Sequence, residues 1–314
     1  MPVNSTKEIL QGIDSKDPRA IGRAISMVEN NGDGASSILA GLDRERMKKA
    51  LVLGITGPPG AGKSTLTASI VKTLRLQHTR VGIIAVDPSS PISGGAILGD
   101  RIRMMDHATD PDVVIRSMAT RGRLGGLCAS AGAAVRIMAA SGCEFVLIET
   151  VGVGQSEMDI VQLADITVMV LAPGFGDDIQ AMKAGLLEVA DFLVVNKADL
   201  PGTDALCMEM QQIFVKKEEE SSIARVLSTI ATENSGITKL LQSVGSFAKY
   251  LKATGIQQQR RNQALQSETM DWVFEMLQPH FLKQLQAIPE KQQCTDPRDL
   301  AKQLIEDSYR GSRL

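Results

Sequence analysis

A glycine-rich stretch at residues 57–65 reads GPPGAGKST. It follows a short apolar run and precedes an amphipathic stretch, which predicts a loop between a strand and a helix. In such a loop the glycines let the backbone wrap closely around phosphate, while Lys63 neutralises the β and γ charges and Ser64 binds Mg²⁺. The complete GxxxxGKS pattern therefore predicts a nucleotide phosphate loop rather than a chance glycine turn. Nucleotide binding is assigned to Gly57, Pro58, Pro59, Gly60, Ala61, Gly62, Lys63, Ser64 and Thr65.

A second motif, NKAD at residues 196–199, follows the apolar run at residues 192–195. A carboxylate in the position of Asp199 accepts hydrogen bonds from the ring N–H and the exocyclic amine of guanine, which adenine cannot supply in the same arrangement. Because a buried acceptor left unpaired is costly, such a site rejects adenine. We expect Asn196 to brace the loop and contact the base, and the stem of Lys197 to cover the face of the base. Together with the phosphate loop, the motif predicts guanine specificity.

Three acids at the ends of apolar or glycine-rich segments are candidate ligands of Mg²⁺. Asp87 ends the apolar run at residues 81–86, Asp100 closes the segment PSSPISGGAILGD, and Glu149 ends the run at residues 145–148. Carboxylate oxygens at strand ends suit Mg²⁺, either directly or through water. Two of the acids also have a simpler interpretation, since Asp87 precedes a proline and is a good turn former, and Asp100 could equally cap a helix. The metal candidates are thus Ser64, Asp87, Asp100 and Glu149.

The pattern of apolar runs predicts the elements that must position these residues. Short runs without polar alternation suit strands that are covered on both faces, and the longer amphipathic stretches between them suit crossover helices. With the phosphate loop, this pattern predicts an α/β P-loop NTPase domain at residues 48–254, built on a mostly parallel, doubly wound sheet. The predicted strands are 51–55, 81–86, 145–148, 166–171, 192–195 and a weaker one near Val226.

The first 47 residues are predicted to form a helical extension. Ser5 and Glu8 have capping-box spacing, which satisfies two backbone donors at the start of a helix. Asp17 followed by Pro18 marks a second start, because Asp caps a helix and Pro fits its first position. We expect the second helix to pack on the main domain through an apolar face formed by Ile21, Ile25 and Val28.

Residues 255–314 form a third segment, which is rich in charge and glutamine and contains the only tryptophan. Apolar side chains recur there at roughly helical intervals. Since so short a segment has little core of its own, its apolar stripe is expected to dock on the main domain or on a second subunit. We favour the second subunit, which makes this segment a dimerisation arm and the protein a homodimer. The stripe consists of Leu265, Trp272, Met276 and Phe281.

Composition disfavours several classes of function. The chain of 314 residues has 34 Lys and Arg against 36 Asp and Glu, so it lacks the basic surface that nucleic acids or anionic membranes require. Its apolar runs are far shorter than the roughly 18 residues of a membrane span, and its first residues lack the apolar core of a secretory signal. We therefore expect a cytoplasmic protein. The four cysteines and three histidines are scattered, without metal-ligand or disulfide spacing.

Five motifs together resemble the bacterial MeaB/ArgK family of G-protein chaperones, which are similar to the methylmalonic aciduria type A protein. They are the phosphate loop, VDPSSPISGGAILGDRIRM, ETVGVGQSE, PGFGDDIQAMKAG and NKADL. The resemblance spans nearly the whole chain and implies a GTPase of the SIMIBI class that forms homodimers through C-terminal helices. It further implies nucleotide-gated delivery or protection of cobalamin on an adenosylcobalamin-dependent acyl-CoA mutase, such as methylmalonyl-CoA mutase.

The resemblance also implies roles for individual residues. Glu149 matches the acid that follows Mg²⁺ and the γ-phosphate through the cycle. Residues 173–183 match an additional switch loop that contacts the mutase. Within it, Lys183 is the candidate cation that reaches the site when the partner orders the loop, the alternative being an exposed helix lysine. Ala231 matches a residue that contacts guanine through its backbone, although Ile230 stands where the family usually has Ser. The catalytic candidates are Lys63, Lys183, Asp177 and Gln155, the last as a residue that orients water.

Four functions compete. The first is a slow GTPase that acts as a switch and chaperone and whose site is completed by its partner. The second is a nucleotide-dependent small-molecule or transport-linked kinase, for which no acceptor-binding motif is found and against which NKAD argues. A nickel-insertion GTPase would carry Cys or His clusters, which this sequence lacks. A nucleotide-gated scaffold that never hydrolyses GTP is disfavoured by the presence of Lys63, Ser64 and Glu149.

Overall fold

The computed structural model describes residues 5–87, 109–119, 130–150, 156–174, 184–288 and 296–311. The chain divides into two compact units, Met1–Leu265 and Gln266–Leu314. The first unit contains the sheet, the N-terminal helices and the candidate site. The second consists of helical segments. The functional division into residues 1–47, 48–254 and 255–314 stays a prediction.

The sheet of the first unit has seven strands. They are β1 Leu51–Thr56, β2 Val81–Asp87, β3 Val113–Ala119, β4 Phe145–Thr150, β5 Ile166–Leu171, β6 Phe192–Val195 and β7 Val226–Ser228. All of them pair in parallel, in the spatial order β3-β2-β4-β1-β5-β6-β7. The strand that precedes the phosphate loop is therefore central, and the predicted parallel α/β P-loop fold is confirmed.

Helices cover both faces of this sheet. Side chains alternate across β1, so that Leu53 and Ile55 enter the core beneath α5 and α10, whereas Gly54 faces α7. A Cβ on Gly54 would lie 2.4 Å from Ile160 Cγ2, so glycine permits this close approach of helix and strand. A 3₁₀ turn spans Ala231–Glu233. The helices of the described chain are α1 Thr6–Asp14, α2 Pro18–Glu29, α3 Ala35–Ala40, α4 Arg44–Lys49, α5 Lys63–Leu76, α6 Ser130–Ala140, α7 Ser156–Leu163, α8 Ala184–Val189, α9 Thr203–Ser221, α10 Ile237–Ala253, α11 Ile256–Ala287 and α12 Pro297–Gly311.

Strand β3 was not among the predicted strands. It lies at the edge of the sheet, where it pairs with β2 alone, and a charged side chain, Arg116, interrupts its apolar run. Arg116 forms an ion pair with Glu29 of α2 and donates a hydrogen bond to Ser26 Oγ at 3.1 Å. The N-terminal helices thus supply the partners that make a charged residue acceptable in this strand.

The N-terminal helices begin at the predicted caps. In α1, Glu8 N donates to Ser5 Oγ at 3.4 Å and Ser5 N donates to Glu8 Oε2 at 3.0 Å, which completes the capping box. In α2, Arg19 N donates to Asp17 Oδ1 at 3.0 Å. The apolar face of α2 is buried as predicted and packs near α6. Its members are Ile21, Ile25 and Val28, each at most 2% exposed.

Two buried acids at the amino ends of β5 and β6 hold the start of α11. Arg261 binds Asp165 through two nitrogens, with Nε at 2.7 Å and Nη2 at 2.6 Å from the carboxylate oxygens. Arg260 binds Asp191 in the same way, at 2.7 and 2.8 Å. Asp165 Oδ2 also accepts a hydrogen bond from Val52 N at the start of β1, at 3.0 Å. Hydrogen bonding to Asp165 raises the pKa of Arg261, so this guanidinium remains charged.

Helix α11 carries the predicted apolar stripe, and none of its residues is buried. Leu265 and Met276 are 55% and 59% exposed, while Trp272 and Phe281 are half-buried. Trp272 Nε1 donates to Glu268 Oε1 at 3.4 Å within the same helix. The stripe therefore remains largely uncovered by the described residues of this chain. No helix in the described ranges combines the length and the apolarity needed to cross a membrane.

Candidate functional site

The predicted nucleotide-binding residues follow the carboxyl ends of three parallel strands of the sheet. β1 leads into residues 57–62, β6 into the NKAD motif, and β7 into a loop at residues 229–236. The register of β1 against β4 places Ile55 opposite Glu149. Ligands of open α/β sheets bind in the crevice outside the carboxyl ends of the strands. The sheet thus brings four segments that are distant in sequence to one edge.

The phosphate loop has a positive φ at three glycines, and at two of them the backbone also lies very close to neighbouring segments. Gly57 has a φ of 138° and Gly62 a φ of 91°, both in the left-handed range that side chains disfavour. A Cβ on Gly57 would lie 2.2 Å from Val170 O, and a Cβ on Gly62 would lie 2.4 Å from Asn196 Nδ2. The loop therefore lies directly against β5 and the NKAD motif. Of its other members, Pro58 and Ala61 are buried, whereas Pro59, Gly60 and Thr65 are exposed.

Lys63 begins α5, and its side chain folds back across the loop. Its Nζ donates to Gly57 O at 2.8 Å and to Pro58 O at 3.1 Å. The ammonium thus lies beside the N-terminus of a 14-residue helix whose N-cap, Gly62, makes no side-chain cap hydrogen bond. A helix N-terminus carries partial positive charge and presents backbone amides. Both features favour an anion at this position.

Ser64 and Glu149 meet at the base of the site. Ser64 Oγ donates a hydrogen bond to Glu149 Oε1 at 2.5 Å, and the two residues are 9% and 2% exposed. A hydroxyl and a carboxylate are the hard oxygen ligands that Mg²⁺ prefers, and a cation would offset the cost of burying the carboxylate. The donor set therefore fits Mg²⁺. Asp87, the third described candidate, ends β2, which is the neighbour of β4 in the sheet.

Four predicted site residues lie outside the described residues: Asp100, Gln155, Asp177 and Lys183. Most of the predicted switch loop at residues 173–183 lies there too. The roles of these residues stay predictions from the sequence.

Asn196 is 2% exposed and connects three segments of the site. Its Nδ2 donates to Ala61 O of the phosphate loop at 3.0 Å. Its Oδ1 accepts hydrogen bonds from Thr229 Oγ1 at 3.1 Å and from Ala231 N at 3.2 Å. One buried amide therefore fixes the phosphate loop, the NKAD turn and the loop after β7 relative to one another.

The other polar side chains of NKAD are open to solvent. Lys197 and Asp199 are both exposed. The Cε of Lys197 lies 4.0 Å from the point that a Cβ on Gly62 would occupy, so the lysine stem runs beside the phosphate loop. Ala198 N donates to Thr229 O at 3.0 Å, which ties this turn to the loop after β7. The turn thus offers an aliphatic surface and an accessible carboxylate side by side, the features that a flat base with hydrogen-bond donors needs.

Sequence reasoning missed three polar residues near the predicted base loop. Thr229 is one partner of Asn196. Ser69 and Thr73, both on α5, donate hydrogen bonds to Ala231 O at 2.5 Å and to Asn234 Oδ1 at 3.2 Å. Their spacing of four residues shows in the sequence that they share a helix face. Their partners are more than 160 residues away along the chain, so only the fold identifies them.

A central strand followed by a glycine loop and a Lys-Ser helix start, in a parallel α/β sheet, defines the P-loop class of nucleotide-binding proteins. Comparison with known proteins narrows this class. The sequence model of one family, described as "Methylmalonyl Co-A mutase-associated GTPase MeaB", matches residues 21–289. The chain therefore belongs to the MeaB family and is a GTPase.

Relatives and solved structures agree with this membership. A protein of Pyrococcus abyssi named as a GTPase is 44% identical over 265 residues, which cover 83% of this chain and 82% of that protein. GTPase ArgK of Escherichia coli is 37% identical over 240 residues, 75% of this chain and 71% of ArgK. The mitochondrial methylmalonic aciduria type A homolog of Mus musculus is 33% identical over 242 residues, 76% of this chain and 57% of that protein. A crystal structure of a LAO/AO transport system kinase is 25% identical with a TM-score of 0.66, covering 98% of this chain and 99% of that one.

Proposed function

We propose that this GTPase is a switch protein that gates cobalamin loading and protects or reactivates an adenosylcobalamin-dependent acyl-CoA mutase, such as methylmalonyl-CoA mutase. The family description names association with this mutase, and the mouse relative is named for methylmalonic aciduria type A. The structural observation that carries the proposal is the position of Asn196, which joins the phosphate loop to both loops expected to recognise the base. A nucleotide bound across these segments would hold them in one arrangement, as a switch requires.

Each part of the proposed site suits one part of GTP. The backbone of residues 57–62 and the N-terminus of α5 bind the β- and γ-phosphates, and Lys63 exchanges its two loop carbonyls for phosphate oxygens. Asp199 accepts hydrogen bonds from the ring N–H and the amine of guanine, while the stem of Lys197 covers the base. Adenine would leave the carboxylate without these donors, so the site prefers guanine.

The proposed metal is Mg²⁺, held by Ser64 and Glu149 with Asp87 and Asp100 as the further candidate ligands. When bound, it neutralises charge on the β- and γ-phosphates and orients them. Ser64 contributes its hydroxyl oxygen, and Glu149 contributes a carboxylate from the end of β4. Because the two side chains already touch, the ligands of this proposed site are preorganised.

Hydrolysis to GDP and phosphate is proposed to be slow until the mutase binds. Water attacks the γ-phosphate in line with the leaving oxygen, and Lys63 stabilises the charge that develops. Lys183 is proposed to supply a second cation when the partner orders the switch loop, the role that an arginine finger has in other GTPases. Gln155 is proposed to orient the water, and Asp177 to be a polar member of the loop. The roles of these last three residues rest on the sequence alone.

The proposed homodimer forms through the C-terminal arm. Helix α11 has an apolar stripe that the described residues leave largely uncovered, with Leu265 55% and Met276 59% exposed. Exposed apolar side chains that repeat along one helix are typical of a surface that packs against another copy or partner. Sedimentation of the purified chain tests this arm, since a monomer at micromolar concentration would contradict it.

Capture of candidate mutases tests the proposed partner. The full chain is mixed with methylmalonyl-CoA mutase and with related acyl-CoA mutases, once with GDP and once with a non-hydrolysable GTP analogue. We expect capture that depends on the nucleotide, and faster GTP hydrolysis once the captured mutase is present. Failure to capture any of these mutases in either nucleotide state would reject the chaperone function and leave membership of the GTPase family intact.

A lysine substitution tests the proposed activation. Lys183→Ala should leave basal hydrolysis nearly unchanged and abolish the acceleration by the cognate mutase, because the proposed cation acts only in the complex. Lys249→Ala, at an exposed position on α10, is the matched control and should behave as wild type. Equal stimulated rates for Lys183→Ala and wild type would remove Lys183 from the mechanism.

A kinase is the second candidate function, favoured only by the name of the LAO/AO transport system kinase whose structure matches this chain. The NKAD motif argues against it, since a kinase of this type would use ATP. Competition of a labelled guanine nucleotide by ATP separates the two functions. Comparable affinities for GTP and ATP would favour the kinase.

A further inference from the structure

The loop at residues 229–236 is fixed from both sides of Ala231. On one side, Ala231 N donates to Asn196 Oδ1 at 3.2 Å. On the other side, Ala231 O accepts two hydrogen bonds, from Ser69 Oγ at 2.5 Å and from Asn234 N at 3.2 Å. Ala231 itself is 4% exposed. The two peptide units that flank its Cα therefore each have a side-chain partner, buried Asn196 on one side and half-buried Ser69 on the other.

The hydrogen bond of Ser69 is unusual for a hydroxyl on a helix. Such hydroxyls commonly bond to a carbonyl one turn back in their own helix. Thr67 of α5 does so, donating to Lys63 O at 3.0 Å. Ser69 instead reaches out of the helix to a loop 162 residues away. Its hydroxyl is thus used to fix the loop rather than to satisfy the helix.

A second hydroxyl of α5 supports the same loop one turn further on. Thr73 is buried, and its Oγ1 donates to Ser69 O one turn back at 2.9 Å and also lies 3.2 Å from Asn234 Oδ1. Asn234 has a φ of 57°, so it occupies the left-handed conformation that closes the 3₁₀ turn. The loop is therefore supported at its entry by Ser69 and at its exit by Thr73.

The same helix also begins the phosphate site. Lys63 starts α5, and Ser69 and Thr73 lie on its second and third turns. A shift of the base loop relative to α5 would break both hydroxyl contacts, so the distance between the phosphate loop and the base loop is set by one rigid element. Ser69 and Thr73 can set this distance without contacting the phosphates themselves.

Fixing the carbonyl of Ala231 also fixes the next amide. A peptide unit is planar and trans, so the direction of the Ala231 C=O determines the direction of the Thr232 N–H. Ser69 therefore orients the backbone donor at position 232, while the donor at position 231 is engaged by Asn196. Backbone donors recognise a base through its acceptors, and guanine carries an acceptor oxygen at C6 where adenine carries an amine.

We propose that Ser69 is a positioning residue for base recognition: with Thr73, it holds the 229–236 loop so that the backbone N–H of Thr232 is in register with the 6-oxygen of a guanine nucleotide bound at the phosphate loop. The inference rests on the proposed binding of guanine at this site and identifies what sets its selectivity. Ser69 acts through the loop and does not touch the nucleotide. Loss of its hydroxyl should therefore weaken binding more for a base with an oxygen acceptor at position 6 than for a base without one.

Two nucleotides that differ at one atom test this role. GDP and 6-thio-GDP share the ring N–H, the amine and the phosphates, but sulfur is a poorer hydrogen-bond acceptor than oxygen. Ser69→Ala should weaken GDP binding roughly three- to tenfold, the value of about one hydrogen bond, and should weaken 6-thio-GDP binding by less than about twofold. Titration calorimetry of both nucleotides measures the two losses. Ser69→Thr, which keeps a hydroxyl, should restore the preference for GDP.

Thr73→Val provides a second measurement that keeps the shape of the side chain and removes its hydroxyl. It should lower the preference for GDP over 6-thio-GDP in the same direction as Ser69→Ala. Glycine tolerates the positive φ at position 234, and Asn234→Gly removes the side chain that Thr73 contacts. Adding Asn234→Gly to Thr73→Val should therefore cause little further loss of the preference for GDP. These variants keep the proposal testable if Ser69→Ala does not fold.

The outcomes separate this inference from the function on which it rests. A wild-type protein that binds ADP as tightly as GDP would overturn both guanine recognition and the role of Ser69. A guanine-selective wild type whose Ser69 and Thr73 variants lose GDP and 6-thio-GDP affinity equally, or lose neither, would overturn the role of these hydroxyls alone.

Discussion

Ser64 Oγ donates a hydrogen bond to Glu149 Oε1 at 2.5 Å, although the two residues are 85 positions apart in the chain. The contact joins the first turn of α5 to the end of β4 at the carboxyl edge of the sheet. It places a hydroxyl and a carboxylate, both nearly inaccessible to solvent, where a phosphate-bound cation is expected. This arrangement supports the proposed Mg²⁺ site.

Glu149→Gln should weaken the Mg²⁺ dependence of the site. The amide keeps the shape of the side chain and removes its negative charge, and we expect the Mg²⁺ concentration for half-maximal GTP hydrolysis to rise about 10- to 100-fold. Titration of hydrolysis with Mg²⁺ measures this change. Glu144→Gln alters an exposed acid just before the same strand and should have no effect. Matching Mg²⁺ requirements in the two variants would remove Glu149 from the metal site.

Gly62→Ala should damage the phosphate loop. The new methyl group would meet Asn196 Nδ2 at 2.4 Å and force a side chain into a φ of 91°, so we expect a loss of about 1–3 kcal/mol in unfolding free energy and weaker nucleotide binding. Gly245→Ala is the control, because Gly245 lies inside α10 with no atom near its hypothetical Cβ. This variant should gain roughly 0.5 kcal/mol in unfolding free energy, because alanine lowers the conformational entropy of the unfolded chain. Urea denaturation and GDP titration compare the two variants. Equal stability and equal GDP affinity would contradict the close contact between Gly62 and Asn196.

Arg261→Ala should destabilise the first unit by about 3 kcal/mol, because it leaves the carboxylate of Asp165 buried and uncompensated. The side chain of Asp165 is 1% exposed, so its charge is largely removed from solvent in the folded chain. Urea denaturation measures the loss. Adding Asp165→Asn should recover part of it, since the amide carries no charge to bury. Arg298→Ala removes an exposed ion pair and should leave stability unchanged. A double variant no more stable than Arg261→Ala would argue against a charge effect.

Cys143 should resist alkylation in the folded protein. Burial raises the pKa of its thiol, so little thiolate forms at pH 8. The residue is also only 2% exposed, so the reagent has little access to the sulfur. Peptide mapping after brief iodoacetamide treatment should show Cys143 unmodified in buffer and fully modified in urea. The sign of the shift also predicts that stability falls as pH rises through the ordinary thiol range, because the unfolded chain then loses the proton that the folded chain keeps. Rapid labelling of Cys143 in buffer would show that the turn before β4 is accessible.

Local features were predictable because their physical causes are local. The phosphate loop and NKAD are contiguous motifs, and the caps of α1 and α2 depend on residues at most three positions apart. Apolar runs identified six of the seven strands for the same reason, since a strand covered on both faces needs no polar alternation.

Strand β3 shows where such reasoning fails. Its charged residue, Arg116, is acceptable only because Glu29 of α2, 87 positions earlier, is its partner. A pattern read along the chain contains no sign of that partner. The apolar stripe of α11 is a second example, because its period is visible in the sequence whereas its exposure is not.

The sequence by itself determined the fold class and the family and predicts the class of site, because glycine, lysine, serine and aspartate at fixed spacing after apolar runs suit phosphate and base binding. Only the tertiary structure decided which distant residues complete the site. Parallel strand order brings Ser64 to Glu149 and Asn196 to Ala61, and the packing of α5 brings Ser69 to Ala231. These contacts depend on how separate elements pack, and the free energy of that packing is distributed over the whole core rather than encoded in any one motif.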